Sequence, residues 1–196
     1  MRFAMLSLCL ILTAWVATPS QSCGTKCGVE RWKVKTLSDT TVKNVDFDPV
    51  AKTVSWLDTR EFPGTKNLPN NRRLPGIETM TFRVKGVVLR YKLEDDHDFH
   101  VVLADPKNHS RTIIVEFPNS ECSGVCSSKH IEEIQQARAD FVAKYGEPTK
   151  KFKTVKKPQI VEIVGVGFFD FPHGQSGRAP SNVELHPVIS FKVVDL

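Results

Sequence analysis

The apolar positions change period along the chain, and each change marks an element. Residues 31–37 alternate Trp32, Val34 and Leu37 with Lys33, Lys35 and Thr36, which predicts a short strand. Residues 42–57 are mixed, with 53–57 the better strand. Residues 62–75 hold Pro63, Pro69, Pro75, Gly64 and an Asn-Asn-Arg-Arg cluster, a long surface loop. From Glu78 the pattern tightens. Met80, Phe82, Val84, Val87, Val88, Leu89, Tyr91 and Leu93 predict a long strand that bends or bulges at Gly86. Residues 99–104 and 111–117 predict two more strands, separated by the turn formers 94–97 and 105–108. Ile131, Ile134, Ala137, Phe141 and Tyr145 then recur at helical spacing. Ser127 or Ser128 caps this helix, and Gly146 and Pro148 stop it. Residues 160–171 and 183–194 complete the set. Pro187 inside the last strand predicts an edge position or a bulge.

Three consecutive strands, a helix and two further strands form the element order of an OB-fold, a five-stranded Greek-key barrel. The predicted class is therefore mainly β with one helix, α+β. The predicted organisation is a signal peptide over 1–22, an N-terminal extension and loop over 23–77, and an OB-fold-like domain over 78–196.

The N-terminus predicts the compartment. Met1-Arg2 precedes an almost wholly apolar run over 3–17. Pro19 breaks it, and Ser20-Gln21-Ser22 places small residues before Cys23. This is the layout of a cleaved secretory signal, too short to span a membrane comfortably. A buried N-terminal helix and a lipid-modified Cys23 are the alternatives. Cleavage predicts a secreted or periplasmic chain with no membrane span. It also removes Cys9 from an odd count of five cysteines. Cys23, Cys27, Cys122 and Cys126 remain, in two close pairs, which favours two disulfides over a four-cysteine zinc site. Local and crossed pairing both remain open.

Composition excludes little more. Apolar residues make up 40% and charged residues 25%, which rules out a disordered chain, a collagen and a multi-span membrane protein. A formal charge of +5 permits a nucleic-acid partner without requiring one. Lys150, Lys151, Lys153, Lys156 and Lys157 can contact phosphates or simply face solvent. Asn108-His109-Ser110 is a formal glycosylation sequon.

Two clusters carry candidate chemistry. Residues 95–100 hold Asp95, Asp96, His97, Asp98 and His100. Carboxylates at a hairpin suit a hard cation such as calcium, although the spacing is not that of an EF-hand. His100 lies within a strand, on one face. The second cluster combines His173 in a Gly-rich loop with Glu184 and His186, two apart on one strand face. These three suit a two-histidine, one-carboxylate metal site or an acid–base pair. No nucleophile elbow, phosphate loop, dinucleotide fingerprint or His-Glu-x-x-His motif is present.

The blocks at 98–105, 111–118, 165–174 and 182–188 resemble a family of small exported bacterial proteins. That resemblance implies a bacterial source and export, and no activity. The element order also resembles the thermonuclease-like OB-fold nucleases. It implies calcium held by Asp96 or Asp98 with Glu116, and transition-state charge met by Arg111 and Arg178. Asn119 stands where that family places its general base, with Glu121 nearby. The expected function is metal-dependent phosphodiester cleavage, a calcium-dependent nuclease. The alternative is a non-catalytic OB-fold module binding nucleic acid, an oligosaccharide or an envelope protein.

Overall fold

The computed structural model describes residues 23–194; the proposed signal segment over 1–22 lies outside the described residues. The fold is mainly β with few helices. Seven strands form one sheet: β1 (Asp46–Thr53), β2 (Met80–Leu93), β3 (Phe99–Asp105), β4 (Asn108–Phe117), β5 (Lys153–Thr154), β6 (Ile160–Phe169) and β7 (Val183–Val193). The α-helices are α1 (Trp32–Lys35), α2 (Val54–Asp58) and α3 (Ile131–Tyr145). Strands β2, β3 and β4 pair antiparallel in sequence. β4 pairs parallel with β7, β7 antiparallel with β6, and β6 antiparallel with β2. β1 adds to β2 in parallel, and the two-residue β5 pairs with Arg90 and Tyr91 of β2.

Alternation along β3, β4 and β7 sends successive side chains to opposite faces. One face carries Phe99, Val101, Leu103, Ile113, Val115, Phe117, Val183 and Leu185 into the main core. Helix α3 covers part of it. Phe141 sits among Phe99, Phe117, Tyr91 and Phe191, with ring centroids 5.0–5.8 Å apart. The other face carries His100, Glu116, Glu184 and His186, and all four are buried. Polar side chains on a buried face need a cover with partners of its own.

The N-terminal segment supplies that cover. Two crossed disulfides, Cys23–Cys126 and Cys27–Cys122, tie it to the loop after β4. The Trp32 indole N–H donates to Ser123 O at 2.7 Å. Arg31, in the left-handed region at φ 49°, sends its guanidinium to both oxygens of Glu78 at 2.5 and 2.9 Å. Those bonds overturn the predicted strand over 31–37: the chain turns into α1 instead. Residues 53–57 also differ, because Thr53 accepts from Trp56 N–H at 3.0 Å and caps α2. The strand lies just before, over β1, where Pro49 is tolerated on a sheet edge.

Two smaller expectations shift, and a third resolves to one of its alternatives. The irregularity in β2 falls between Val88 and Arg90, not at Gly86. Gly86 is needed for close approach, since a Cβ there would lie 2.9 Å from Ala104 O. Ser128 does not cap α3 directly; its hydroxyl accepts from His130 N–H at 3.2 Å, and α3 begins at Ile131. Strand β7 pairs with β4 only at Glu184 and Leu185, and for Pro187 the bulge alternative is the one found. Pro187 sits where the β6–β7 register slips, between Val188 and Leu185.

Candidate metal centre

Three strands bring the site together. His100 on β3 and Glu116 on β4 are direct cross-strand neighbours. On β7, Glu184 pairs with Ile114 of β4, and His186 follows on the same face. Asp98 enters from the β2–β3 turn, where the left-handed His97 (φ 70°) reverses the chain. Asp98, Glu116 and His186 each offer a ligand atom, and these atoms lie within 4.8 Å of one another.

His186 is the centre of this group. Its Nε2 lies 3.2 Å from Asp98 Oδ2 and its Nδ1 lies 3.0 Å from Glu116 Oε2. The three side chains are at most 3% exposed. Despite these distances, neither imidazole nitrogen meets hydrogen-bond geometry, and Asp98 Oδ2 has no donor. Glu184 lies nearby with neither carboxylate oxygen hydrogen-bonded. Leaving such groups buried and unpaired costs about 1–3 kcal/mol each, more when charged.

The electrostatics split the carboxylates. Burial alone would raise Glu116, but His100, His186 and Lys35 hold it well below the ordinary range. Burial, joined by repulsion from Asp170 and Glu116, pushes Glu184 well above it. Burial and the neighbouring Asp98 and Glu116 carboxylates raise Asp96 to about 6. Burial would lower His100, yet Glu116 and Glu94 lift it to about 9. His186 is raised against its burial by Asp98 and Glu116. Lys35, against the same desolvation, is held protonated by Glu116 and Asp170 above all. Split carboxylates in one site are the usual arrangement for acid–base or metal chemistry.

Of this cluster Glu116 reaches an open cleft of about 730 Å³, which Lys35 and Asp96 also line. Its walls include residues 27–30, held by the Cys27–Cys122 disulfide, and the 173–176 loop. Phe152 stands at the edge, with its ring 5.7 Å from that of His100. The Ser176 carbonyl touches His100 Nε2 at 3.0 Å.

The predicted site residues divide. Asp98, Glu116, His100, Glu184 and His186 come together, and Asp96 borders them at the cleft. His173 stands apart at the rim, with Nε2 3.2 Å from Asp170 Oδ2 and Nδ1 3.7 Å from Glu30. Arg111 does not reach the cluster. It lies five residues before Glu116, so β4 turns it to the other face, where it pairs with Asp58 at 2.6 Å. Arg178 bonds Asn182. Sequence reasoning passed over Lys35, Glu94, Asp170 and Phe152. Asp170 carried a signal, an acid closing the apolar run of β6. Lys35 carried none, because a strand pattern treats it as a solvated side chain.

The chain is 26% identical over 169 residues to a Candida dubliniensis protein named genetic interactor of prohibitins 3, mitochondrial. The proteins of that name in two Candida albicans strains are 26% identical over 179 and 164 residues. These alignments cover 81–84% of this chain and only 22–24% of the relatives, so the chain spans about a quarter or less of their length. No family model matches the chain, and no solved structure does. The relatives are fungal and mitochondrial by name. They overturn the resemblance to exported bacterial proteins and nucleases, and with it the secreted or periplasmic location. Among the described residues, no helix is long and apolar enough to cross a membrane.

Proposed function

We propose that this chain is a metal-dependent hydrolytic domain in which Asp98, Glu116 and His186 hold one divalent transition-metal ion. The observation that carries the reading is a buried set of three ligand atoms, one each from Asp98, Glu116 and His186, within 4.8 Å of one another. Both imidazole nitrogens crowd carboxylate oxygens at 3.0 and 3.2 Å without hydrogen-bond geometry. A cation bound at one of these nitrogens, with one oxygen each from Asp98 and Glu116, would leave the other nitrogen to donate to the carboxylate beside it. An imidazole ligand favours manganese, iron or zinc over calcium, which prefers an all-oxygen shell. This replaces the calcium expectation with a softer ion.

The pairing order supports an OB-like architecture as part of this proposal. The sequence β2, β3, β4, β7, β6 and back to β2, with the β4–β7 contact parallel and α3 between β4 and β6, is the order of a five-stranded Greek-key barrel. The cluster then lies on the outward sheet face, beneath the N-terminal cover. Of the three ligands, Glu116 alone lines the cleft, with Asp96 beside it, so a metal held here would be open to substrate on its Glu116 side, where it would supply an activated water. Arg111 and Arg178 are engaged elsewhere, so the charge clamp of a nuclease is not part of the proposal.

A second reading has one observation in its favour. Asp98 and His186 side chains have no exposure, and closed sites more often hold structural metals. Manganese- or zinc-loaded protein separates the two. The hydrolytic reading expects turnover of a generic phosphodiester or ester that is lost in Glu116→Gln. Metal that raises the melting temperature without turnover would leave a non-catalytic module. The fungal relatives make mitochondria the compartment we propose, testable by fractionation of cells expressing the tagged chain.

A further inference from the structure

We infer that Lys35 is the oxyanion receptor of this cleft, and that the group it takes is a tetrahedral phosphoryl group bound between its ammonium and a metal ion reached on its Glu116 side. The inference rests on the metal reading above and names its substrate class.

Three observations carry it. First, Lys35 is nine-tenths buried, with its side chain 9% exposed, and it lines the cleft beside Glu116. Second, its Nζ makes no hydrogen bond among the described residues. The nearest carboxylate, Asp170 Oδ2, lies 3.7 Å away, an ion pair without a hydrogen bond. The Phe168 ring, with its centroid 5.5 Å from Nζ, offers no acceptor for the three N–H groups. A buried ammonium with unused donors on the wall of an open cleft is built to meet an acceptor that arrives from outside.

Third, the shape of the charge favours phosphoryl over carboxylate. Among the described residues the cationic lining of the cleft is Lys35 and Lys92, with no arginine, set among the carboxylates of Glu30, Glu94, Asp95, Asp96 and Glu116, so an anion would depend on Lys35 and the metal ion together. Planar carboxylates are matched by the two-pronged guanidinium, whereas an ammonium acts as a point charge. Two point charges, an ammonium and a metal ion, suit a tetrahedral group that presents oxygens in different directions. Lys92 is already engaged by Glu94 at 2.9 Å, which leaves Lys35 as the free donor.

The position of Lys35 is fixed by the fold. It ends α1, four residues beyond the Arg31 anchor, and α1 is held by the crossed disulfides and the Trp32–Ser123 bond. The ammonium is therefore placed before the ligand arrives, so little ordering cost falls on binding.

The test uses the full chain loaded with Mn(II), inorganic phosphate as the probe, and ³¹P relaxation as the readout. Relaxation enhancement reports phosphate close to the bound ion. The expected result is saturable enhancement in the wild type. Lys35→Met and Lys35→Gln should weaken phosphate at least about tenfold (the loss of one charge-assisted bond) while keeping one Mn(II) per chain. Lys156→Met, an exposed charge in the loop, should bind phosphate as the wild type does. Acetate should compete poorly. Wild-type protein that holds Mn(II) but shows no phosphate enhancement overturns this inference and leaves the metal reading standing. So does equal affinity in the Lys35 variants that keep their metal, or acetate competing as well as phosphate. A chain that takes up no Mn(II) overturns the metal reading, and this inference with it.

Discussion

Replacing Arg31 should unfold more of the protein than any surface change. Its guanidinium is 0% exposed, as is the Glu78 carboxylate it faces. It donates to both Glu78 oxygens, to Phe169 O at 2.7 Å, to Pro69 O at 3.0 Å and to Arg72 O at 3.3 Å. One side chain thus joins the N-terminal segment, the 62–79 loop and the end of β6. Arg31→Met keeps the aliphatic volume and strands a buried carboxylate. Breaking a buried pair from one side costs about 3–5 kcal/mol. Glu78 keeps two backbone donors, Leu74 N–H at 2.7 Å and Phe169 N–H at 2.9 Å, so the lower half of that range applies. With a urea slope of about 2 kcal/mol per molar, the unfolding midpoint should fall by about 1.5–2 M. Arg31→Met with Glu78→Gln removes the stranded charge and should recover part of the loss. A midpoint shift below about 0.5 M, or a double variant as costly as the two singles summed, would refute the coupling.

Three further outcomes follow from the same structure. Cys27→Ser with Cys122→Ser leaves Cys23–Cys126 to close the long loop, so it opens only a ring of roughly ten residues and should cost up to about 2.5 kcal/mol in thermal unfolding, while freeing the 27–30 wall of the cleft. Gly177 sits at φ +88°, and a Cβ there would lie 2.4 Å from Val102, so Gly177→Ala should destabilise by about 2 kcal/mol or more and disturb the Ser176 contact to His100. His173 is raised above its ordinary value by Asp170, so its contribution is complete below about pH 6.5 and fades as pH rises through the higher folded value. His173→Gln should accordingly lower the melting temperature at about pH 5.5 and leave it unchanged at about pH 9; an equal loss at both would deny the pairing.

The strands were the legible part. Period-2 alternation over 99–104 and 111–117 placed β3 and β4 and put His100 on one face of its strand, without revealing that Glu116 is its cross-strand neighbour. Glu184 and His186 were readable as a pair for the same reason. What joined the two pairs was not readable, because the parallel β4–β7 contact brings together residues about 70 apart. Arg111 was misplaced by motif matching, although its odd spacing from Glu116 already put the two on opposite faces. The N-terminal segment was the least legible. Trp32-Lys33-Val34-Lys35 alternates like a strand, but tertiary bonds through Arg31 and Trp32 override four residues of weak local preference. That override is what turns Lys35 inward.

The most direct test of the metal centre is anomalous diffraction from crystals of the protein grown with manganese or zinc. The account predicts one strong peak bonded to His186 at about 2.0–2.2 Å, with oxygens of Asp98 and Glu116 completing the inner shell. The peak should vanish in His186→Gln crystals of the same form. Absence of a peak at these residues in the wild type, or a peak only at the exposed Glu30–His173 rim, would contradict it.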